Sequence, residues 1–421
     1  MSKLLRVAAL IDLPRSPLSG GHVKGWERRA KAAVRADLPL DLTIYFSGPP
    51  SLEELSPKVR LRQLPPVFST ARLKFLPYVP DNTDLAPYHP ALAHELKDFD
   101  VIHTTDGFFA FAQTAERMHR RFGIPLVTSF HTDTPAYTRV FTHKTIETIF
   151  GQSWLAHKMI DDWQIPEGQE RKKRARLRKH LESCSKALAI REEDFALAAD
   201  VMGRENVFPM QSGVDHEMFG PHRADREGLC RDYGIPKDRI LYLFVGRLDV
   251  GKNIYTVIEA MEKLIARGDN VHLVTAGVGP AEEDLRARLK DRVTVPGFIA
   301  PDELARLYAS VDISVLASEV EIRSLVGIEA MVSGLPILVS AKSGVSDAFG
   351  HPSAMRIVDG GADVWAHAMD ELARDDAARK QMSVDALAYA DANFKSWEDV
   401  FKEDFFGVWQ KAFDEKIARK G

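Results

Sequence analysis

Short runs rich in Val, Ile and Leu alternate with longer amphipathic segments along the whole chain, and no other feature constrains the fold as much. A strand covered on both faces reads as a continuous apolar run, because neither face meets water, so this alternation points to parallel sheets flanked by helices. In the first half the predicted strands are LRVAALI (5–11), LTIYF (42–46), DVIHT (100–104), PLVTSF (125–130) and KALAI (186–190). In the second they are ILYLFVG (240–246), VHLVTAG (271–277), RVTVPG (292–297), ISVLA (313–317) and PILVS (336–340). Helix-like segments follow most of them, such as Lys252 to Arg267 and Glu282 to Lys290, so two similar doubly wound α/β units are expected.

A chain of 421 residues is too long for one core. Pro209, Gly213, Gly220 and Pro221 cluster within residues 206–225 and place the boundary there. The expected domains are 1–212, 213–395 and a terminal helical segment 396–421. In that last segment Trp397, Phe401, Phe405 and Trp409 recur at helical spacing, the pattern of a core-facing stripe. A hydrophobic content of 45%, 28% charged residues and a net charge of −4 exclude disorder, collagen and coiled coil. Cys184 and Cys230 are too few for a disulfide framework or a thiolate metal site, which fits a reducing compartment. The first apolar run stops at Asp12, short of a signal-peptide core, and no stretch approaches the ~20 apolar residues that span a bilayer. Any membrane contact is therefore expected to be peripheral.

Charge is unevenly divided: residues 1–215 carry 30 Lys+Arg against 26 Asp+Glu, and the rest carry 26 against 34. The sharpest feature is RKKRARLRK, where Arg171, Lys172, Lys173, Arg174, Arg176, Arg178 and Lys179 fill seven of nine positions. A solvated helix face is the plain reading of such a run; an anionic membrane or a nucleic acid is the functional one.

The second half holds the constellation that points to chemistry. Strand ILYLFVG runs into GRLDVGKN, which puts Arg247 and Lys252 between a strand's carboxyl end and the start of a helix. Parallel sheets bind ligands there, and helix N-terminal amides favour anions, so two cations at this point suit a diphosphate. It is not a P-loop, because Asn253 stands where Ser or Thr would follow the lysine. The next strand ends in AGVGP, whose Gly277 and Gly279 allow close backbone approach. Then come Glu321, in a loop, and Glu329, on a helix that begins near Leu325. A carboxylate accepts two hydrogen bonds side by side, so Glu329 suits a ribose diol and Glu321 a sugar hydroxyl.

GRLDVGKN, AGVGP, VTVPGF, the glutamate pair in EIRSLVGIEAMVSGLPIL and SGVDHEMF occur in an order that resembles the retaining family four (group 1) glycosyltransferases of the GT-B fold. The resemblance covers nearly the whole chain. It implies two Rossmann-like domains facing across a cleft, a nucleotide-sugar donor held mainly by the second, and a terminal helix returning to the first. It assigns Arg247 and Lys252 to the diphosphate, Glu321 to the donor sugar, Glu329 to the ribose, and Phe298 and Ile299 to the base pocket. Gly20 and Gly21, in SGGH, match the glycine-rich loop after the first strand, and His131 matches the histidine that faces the transferred sugar. The chain departs from the family where E-G-F-G becomes Glu321-Ile322-Arg323-Ser324, followed by Leu325. Both glycines are replaced there, and Arg323 stands where a guanidinium suits a sugar carboxylate.

The resemblance also implies a UDP-sugar as the expected donor, no cofactor and no metal. The Asp98-Phe99-Asp100 sequence reads as strand-flanking structure. SFHTDTPAY is similar to a run of the lipid-directed branch, and Phe141, Ile146, Ile149, Phe150, Trp154, Met159, Ile160 and Trp163 lie just before the basic run. The expected activity is transfer of a hexose or uronic acid to a lipid of the diacylglycerol or ceramide type. The expected location is the cytoplasmic, inner face of the cell membrane, with an anionic surface as partner and no nucleic acid. Two alternatives stand beside it: a glycosyltransferase with a soluble or polysaccharide acceptor, and a catalytically weakened regulator that binds nucleotide and membrane.

Overall fold

The computed structural model describes residues 4–16, 19–70, 83–319, 324–350 and 353–419. The chain divides into two compact units, Met1–Gln211 with Trp397–Gly421, and Ser212–Ser396. Both are α/β domains built on predominantly parallel sheets.

In the first unit the strands are β1 (Leu5–Pro14), β2 (Leu40–Ser47), β3 (Ser51–Ser56), β4 (Val59–Leu64), β5 (Val101–Thr104), β6 (Leu126–Ser129), β7 (Lys186–Ala189) and β8 (Val207–Pro209). They lie in the order β3-β4-β2-β1-β5-β6-β7-β8. Only the β3/β4 pair is antiparallel among these pairings. The order reverses direction at β1, and the carboxyl ends of β1, β5 and β6 flank that switch point, where ligands of open α/β sheets bind.

The second unit contains β9 (Ile240–Val245), β10 (Val271–Ala276), β11 (Val293–Thr294), β12 (Ile313–Leu316), β13 (Ile337–Ser340) and β14 (Met355–Val358), in the order β11-β10-β9-β12-β13-β14, all parallel. Along β9 the side chains alternate between two cores: Leu241 and Leu243 join one cluster, Tyr242 and Phe244 the other. A sheet buried on both faces produces this alternation and explains why the strand reads as an unbroken apolar run.

The last helical segment belongs to the first unit. Trp397, Phe401, Phe405 and Trp409 are all buried, as their spacing predicts. Residues four apart drift about 40° around an α-helix. Here a wide π turn over Phe401–Phe406 interrupts the α-helix, and a turn with more residues per revolution offsets that drift and keeps the stripe on one face.

Candidate functional site

In the second unit the chain leaves β9 through Gly246, at φ +145°, and forms a short loop before the helix Ile254–Ala266. Asp249 organises the loop: one carboxylate oxygen accepts from the Lys252 N–H at 3.0 Å and the other lies 3.1 Å from Arg247 Nε. Asn253 takes a left-handed conformation and donates through Nδ2 to the Ala317 carbonyl at 3.2 Å, tying the loop to the end of β12.

Gly277 and Gly279 carry the neighbouring loop alongside. Gly246 N–H donates to the Ala276 carbonyl at 2.9 Å and Leu248 N–H to the Val278 carbonyl at 3.0 Å, so backbone pairing continues past the strand ends. A Cβ on Gly277 would collide with the Gly246 carbonyl oxygen, and one on Gly279 with that of Leu248. The protein's own backbone fills the space these glycines leave, a structural reason for them that the motif alone does not reveal.

Ser324 caps the helix Leu325–Val332, its hydroxyl accepting from the Gly327 N–H. Leu325 packs against the core, and Glu329 is only 4% exposed on the same helix. Phe298 is 53% exposed, while Ile299 packs against the core. The unit therefore presents Arg247 and Lys252 on one strand-end loop and Phe298 on another. Glu321 and Arg323 lie outside the described residues.

The first unit builds its strand ends differently. Gly20 precedes the helix Gly21–Ala36 without a side-chain cap, and both Gly20 and Gly21 are exposed. Gly20 has an ordinary φ of −70°, and a Cβ there would meet nothing within 4 Å. Neither the backbone nor the packing of the described residues asks for a glycine at that position. His22, on the first turn, stacks on His131 with ring centroids 4.4 Å apart and 12° between planes. His131 follows β6, and its Nε2 lies 2.8 Å from Ser129 Oγ, which is 2.7 Å from His103 Nε2. His103 Nδ1 in turn accepts from the Trp409 indole N–H at 2.9 Å.

These rings are held neutral. Burial lowers His103 to about 3, with the Arg29 charge adding to it. Burial and Arg29 likewise bring His22 to about 3, and burial, with the Arg29 charge adding to it, holds His131 well below the ordinary range. Arg29 is itself buried, which lowers it to about 9, and its guanidinium sits 4.7 Å from the Phe405 ring centre. His180 runs the other way. Burial alone would lower it, but Cys184 and the Glu116 carboxylate at 2.7 Å push it up to about 10.

His131 also lines a cavity with Thr105, Asp106, Asp133, Arg174 and Arg191. Asp133 caps the helix Thr134–Phe150 by accepting from the Ala136 N–H, and it pairs with Arg191 at 3.1 Å. Asp100 accepts from the Arg6 N–H at 3.0 Å. Among the described residues no group of three or more His, Cys, Asp or Glu side chains is arranged to hold a metal ion.

The basic run lies on the helix Ile165–Leu181 and does not form one cationic face. Arg176 pairs with the buried Glu116 at 2.6 Å, Arg174 with Glu170 at 2.7 Å and Arg178 with Asp200 at 2.7 Å. Lys173 packs its ammonium over Phe108 and Phe109, and burial lowers its pKa. Arg171, Lys172 and Lys179 remain exposed. The preceding apolar residues divide as well: Ile146 is buried, whereas Ile149, Phe150, Trp154 and Trp163 are exposed, Trp154 at 73% and Trp163 at 56%. Lys158 lies 4.9 Å from the Trp154 ring centre and 5.8 Å from that of Trp163. Among the described residues no helix is long and apolar enough to cross a membrane.

His22, His103, Ser129 and Trp409 gather around His131, although the sequence assigns none of them to a site. SGGH and DVIHT contain two of them, but nothing local says that they meet.

Residues 225–387 match the family model described as Glycosyl transferases group 1. The sulfoquinovosyl transferase SQD2 of Arabidopsis thaliana is 29% identical over 262 residues, 61% of this chain and 46% of that protein. The alignment thus spans about half the length of that relative. Among solved structures, a sucrose-phosphate synthase from Thermosynechococcus elongatus superposes with a TM-score of 0.74 at 18% identity, covering 98% of this chain and 100% of the other. The Anabaena protein Alr3699/HepE, solved with UDP and glucose, gives 0.65 at 14% identity, covering 96% and 100%. At these identities the two structures establish the shared fold.

Proposed function

We propose, from the match of residues 225–387 to the group 1 glycosyl transferase model, that the protein moves a hexose or uronic acid, with retention, from a UDP-sugar to a lipid hydroxyl at the inner face of the cell membrane. The observation that carries this reading is the loop after β9, where Asp249 holds a tight turn that presents Arg247 and Lys252 at the carboxyl end of a parallel strand. When the sugar-phosphate bond breaks, negative charge grows on the diphosphate, and two fixed cations beside helix amides stabilise it most where it is greatest. Glu329 takes the ribose and Phe298 lies against the base, consistent with the exposure of its ring. Glu321 and Arg323 are assigned to the donor sugar. His131 is assigned to the transferred sugar, with Gly20 and Gly21 near the phosphates or acceptor. The Anabaena structure carrying UDP and glucose supports this donor class.

The lipid acceptor rests on the Arabidopsis relative and on the exposed Ile149, Phe150, Trp154 and Trp163. Trp154 and Trp163, with Lys158 between them and Arg171, Lys172 and Lys179 on the next helix, suit an anionic bilayer surface, where aromatic rings settle at the headgroups and cations meet phosphate. A soluble acceptor is the second reading. It is favoured by the internal pairing of Arg174, Arg176 and Arg178, which commits three of the seven basic residues to ion pairs within the fold.

The test is nucleotide release from a panel of nucleotide sugars, with and without anionic vesicles containing diacylglycerol or ceramide, followed by mass spectrometry of the lipids. A lipid heavier by one sugar supports the first reading. Full turnover without lipid, on a soluble acceptor, replaces it with the second.

A further inference from the structure

The chain of hydrogen bonds that ends on His131 has a direction, and that direction follows from its first member. An indole N–H only donates. Trp409 Nε1, 2.9 Å from His103 Nδ1, therefore makes that nitrogen an acceptor. A neutral imidazole carries one proton, so the proton of His103 is on Nε2, which donates to Ser129 Oγ at 2.7 Å. Ser129 is 2% exposed, and its hydroxyl hydrogen needs an acceptor of its own. His131 Nε2, at 2.8 Å, is that acceptor. If His131 carried its proton on Nε2 instead, two N–H groups would point at one hydroxyl oxygen, and the hydroxyl hydrogen would be buried without a partner. The face of His131 is fixed separately, by stacking on His22 and by Trp26 at 6.1 Å.

We propose that Trp409, acting through His103 and Ser129, fixes His131 as its Nδ1–H tautomer, so that this histidine meets its ligand as a hydrogen-bond donor and not as a base. Trp409, His103 and Ser129 are positioning residues. His131 Nε2 is occupied by the serine hydroxyl, and its Nδ1 offers an N–H to an oxygen of a bound sugar. That last step rests on the assignment of His131 to the transferred sugar; the tautomer does not. The consequence for chemistry is specific. A ring whose second nitrogen already accepts has no lone pair free for an acceptor's proton, so His131 contributes by holding a hydroxyl or carbonyl oxygen in place.

The test uses the full chain with ring-15N histidine and two-bond proton-nitrogen correlation spectra at neutral pH, the His131 signals being identified by their loss in His131→Gln. The expected spectrum shows His131 protonated on Nδ1 and unprotonated on Nε2. Ser129→Ala is expected to return His131 toward the Nε2–H tautomer and to lower the turnover of the proposed transfer about tenfold with KM for the donor little changed. Ser129→Thr, which keeps the hydroxyl, is expected to restore both. Trp409→Phe, which removes the first donor, is expected to give mixed tautomers at His103 and His131. Should Trp409→Phe fail to fold, Ser129→Ala still decides the case. A wild-type His131 protonated on Nε2, or a tautomer indifferent to Ser129→Ala, overturns the proposal. A tautomer that moves in Ser129→Ala while transfer stays at wild-type rate supports the relay and overturns the assignment of His131 to the sugar.

Discussion

The two units end their central strands in opposite ways. In the second, the loops after β9 and β10 are built from backbone: glycines pack carbonyl against Cα, and charged side chains stand at the surface. In the first, the ends of β5 and β6 are built from side chains: three neutral histidines, a serine and a tryptophan that reaches His103 across 306 positions of sequence. The glycines sharpen the contrast. Gly277 and Gly279 are required by the protein itself, whereas Gly20 stands in open space with an ordinary φ. A glycine with no internal reason is the better pointer to a ligand that approaches closely.

Several substitutions press on this contrast. The largest effect is expected in the charged loop, where Arg247→Ala or Lys252→Ala should lower transfer about 100- to 1000-fold. Nucleotide-release kinetics beside thermal unfolding checks this, with melting expected to shift by only a few degrees. Wild-type turnover in both would remove the diphosphate assignment. Next is the glycine pair: Gly277→Ala should destabilise the second unit by about 2–4 kcal/mol, and Gly20→Ala should stay within about 0.5 kcal/mol of wild type in the same denaturant titration. Equal losses would dissolve the distinction between the two glycines.

The wired histidines make a smaller, graded prediction. His103 is neutral when folded and titrates near 6.5 when unfolded, so the unfolded chain binds the extra proton first as pH falls. Its contribution is complete above about pH 6.5 and declines by about 1.4 kcal/mol per pH unit toward its folded value of about 3. His180, raised to about 10, has the opposite sign: its contribution is complete below about pH 6.5 and is lost as pH rises through about 10. Unfolding of the first unit followed across pH should thus lose stability on both sides of neutrality, and His103→Gln should flatten the acid side. The smallest effect is expected at the surface. Each of Lys172→Gln and Lys179→Gln should weaken binding to anionic vesicles about fivefold, as about 1 kcal/mol per charge implies, with stability unchanged. Arg176→Glu should instead destabilise the fold, because it sets a second carboxylate against Glu116.

The central strands were legible because burial on both faces leaves an unmistakable apolar run, as in ILYLFVG and LRVAALI. The pair β3 and β4 was not: SLEELS and VRLRQL mix charged and polar residues with leucine at and beside the sheet edge, and the exposed glutamates of β3 leave no apolar run to read. β14 escaped for the same reason, since Arg356 and Ile357 of this edge strand are not buried. In the candidate site, GRLDVGKN was legible because the loop is local: one aspartate two residues from Arg247 and three from Lys252 organises it. The basic run was visible but its pairing was not, because Glu116 and Asp200 come from other helices. For the same reason Trp409 read as core and nothing more.

The first unit is also discontinuous in time. A ribosome delivers residues 212–396 as one uninterrupted stretch, able to collapse on its own sheet, while the first unit waits for Trp397, Phe401, Phe405 and Trp409 to fill its interior. Until that helix emerges, His103 has no indole to meet and its neighbours have no fixed proton pattern. The segment that follows the second unit therefore acts as the first unit's completion signal: a nascent chain has an unfinished first unit, and with it an unset His131, until translation has passed Trp409.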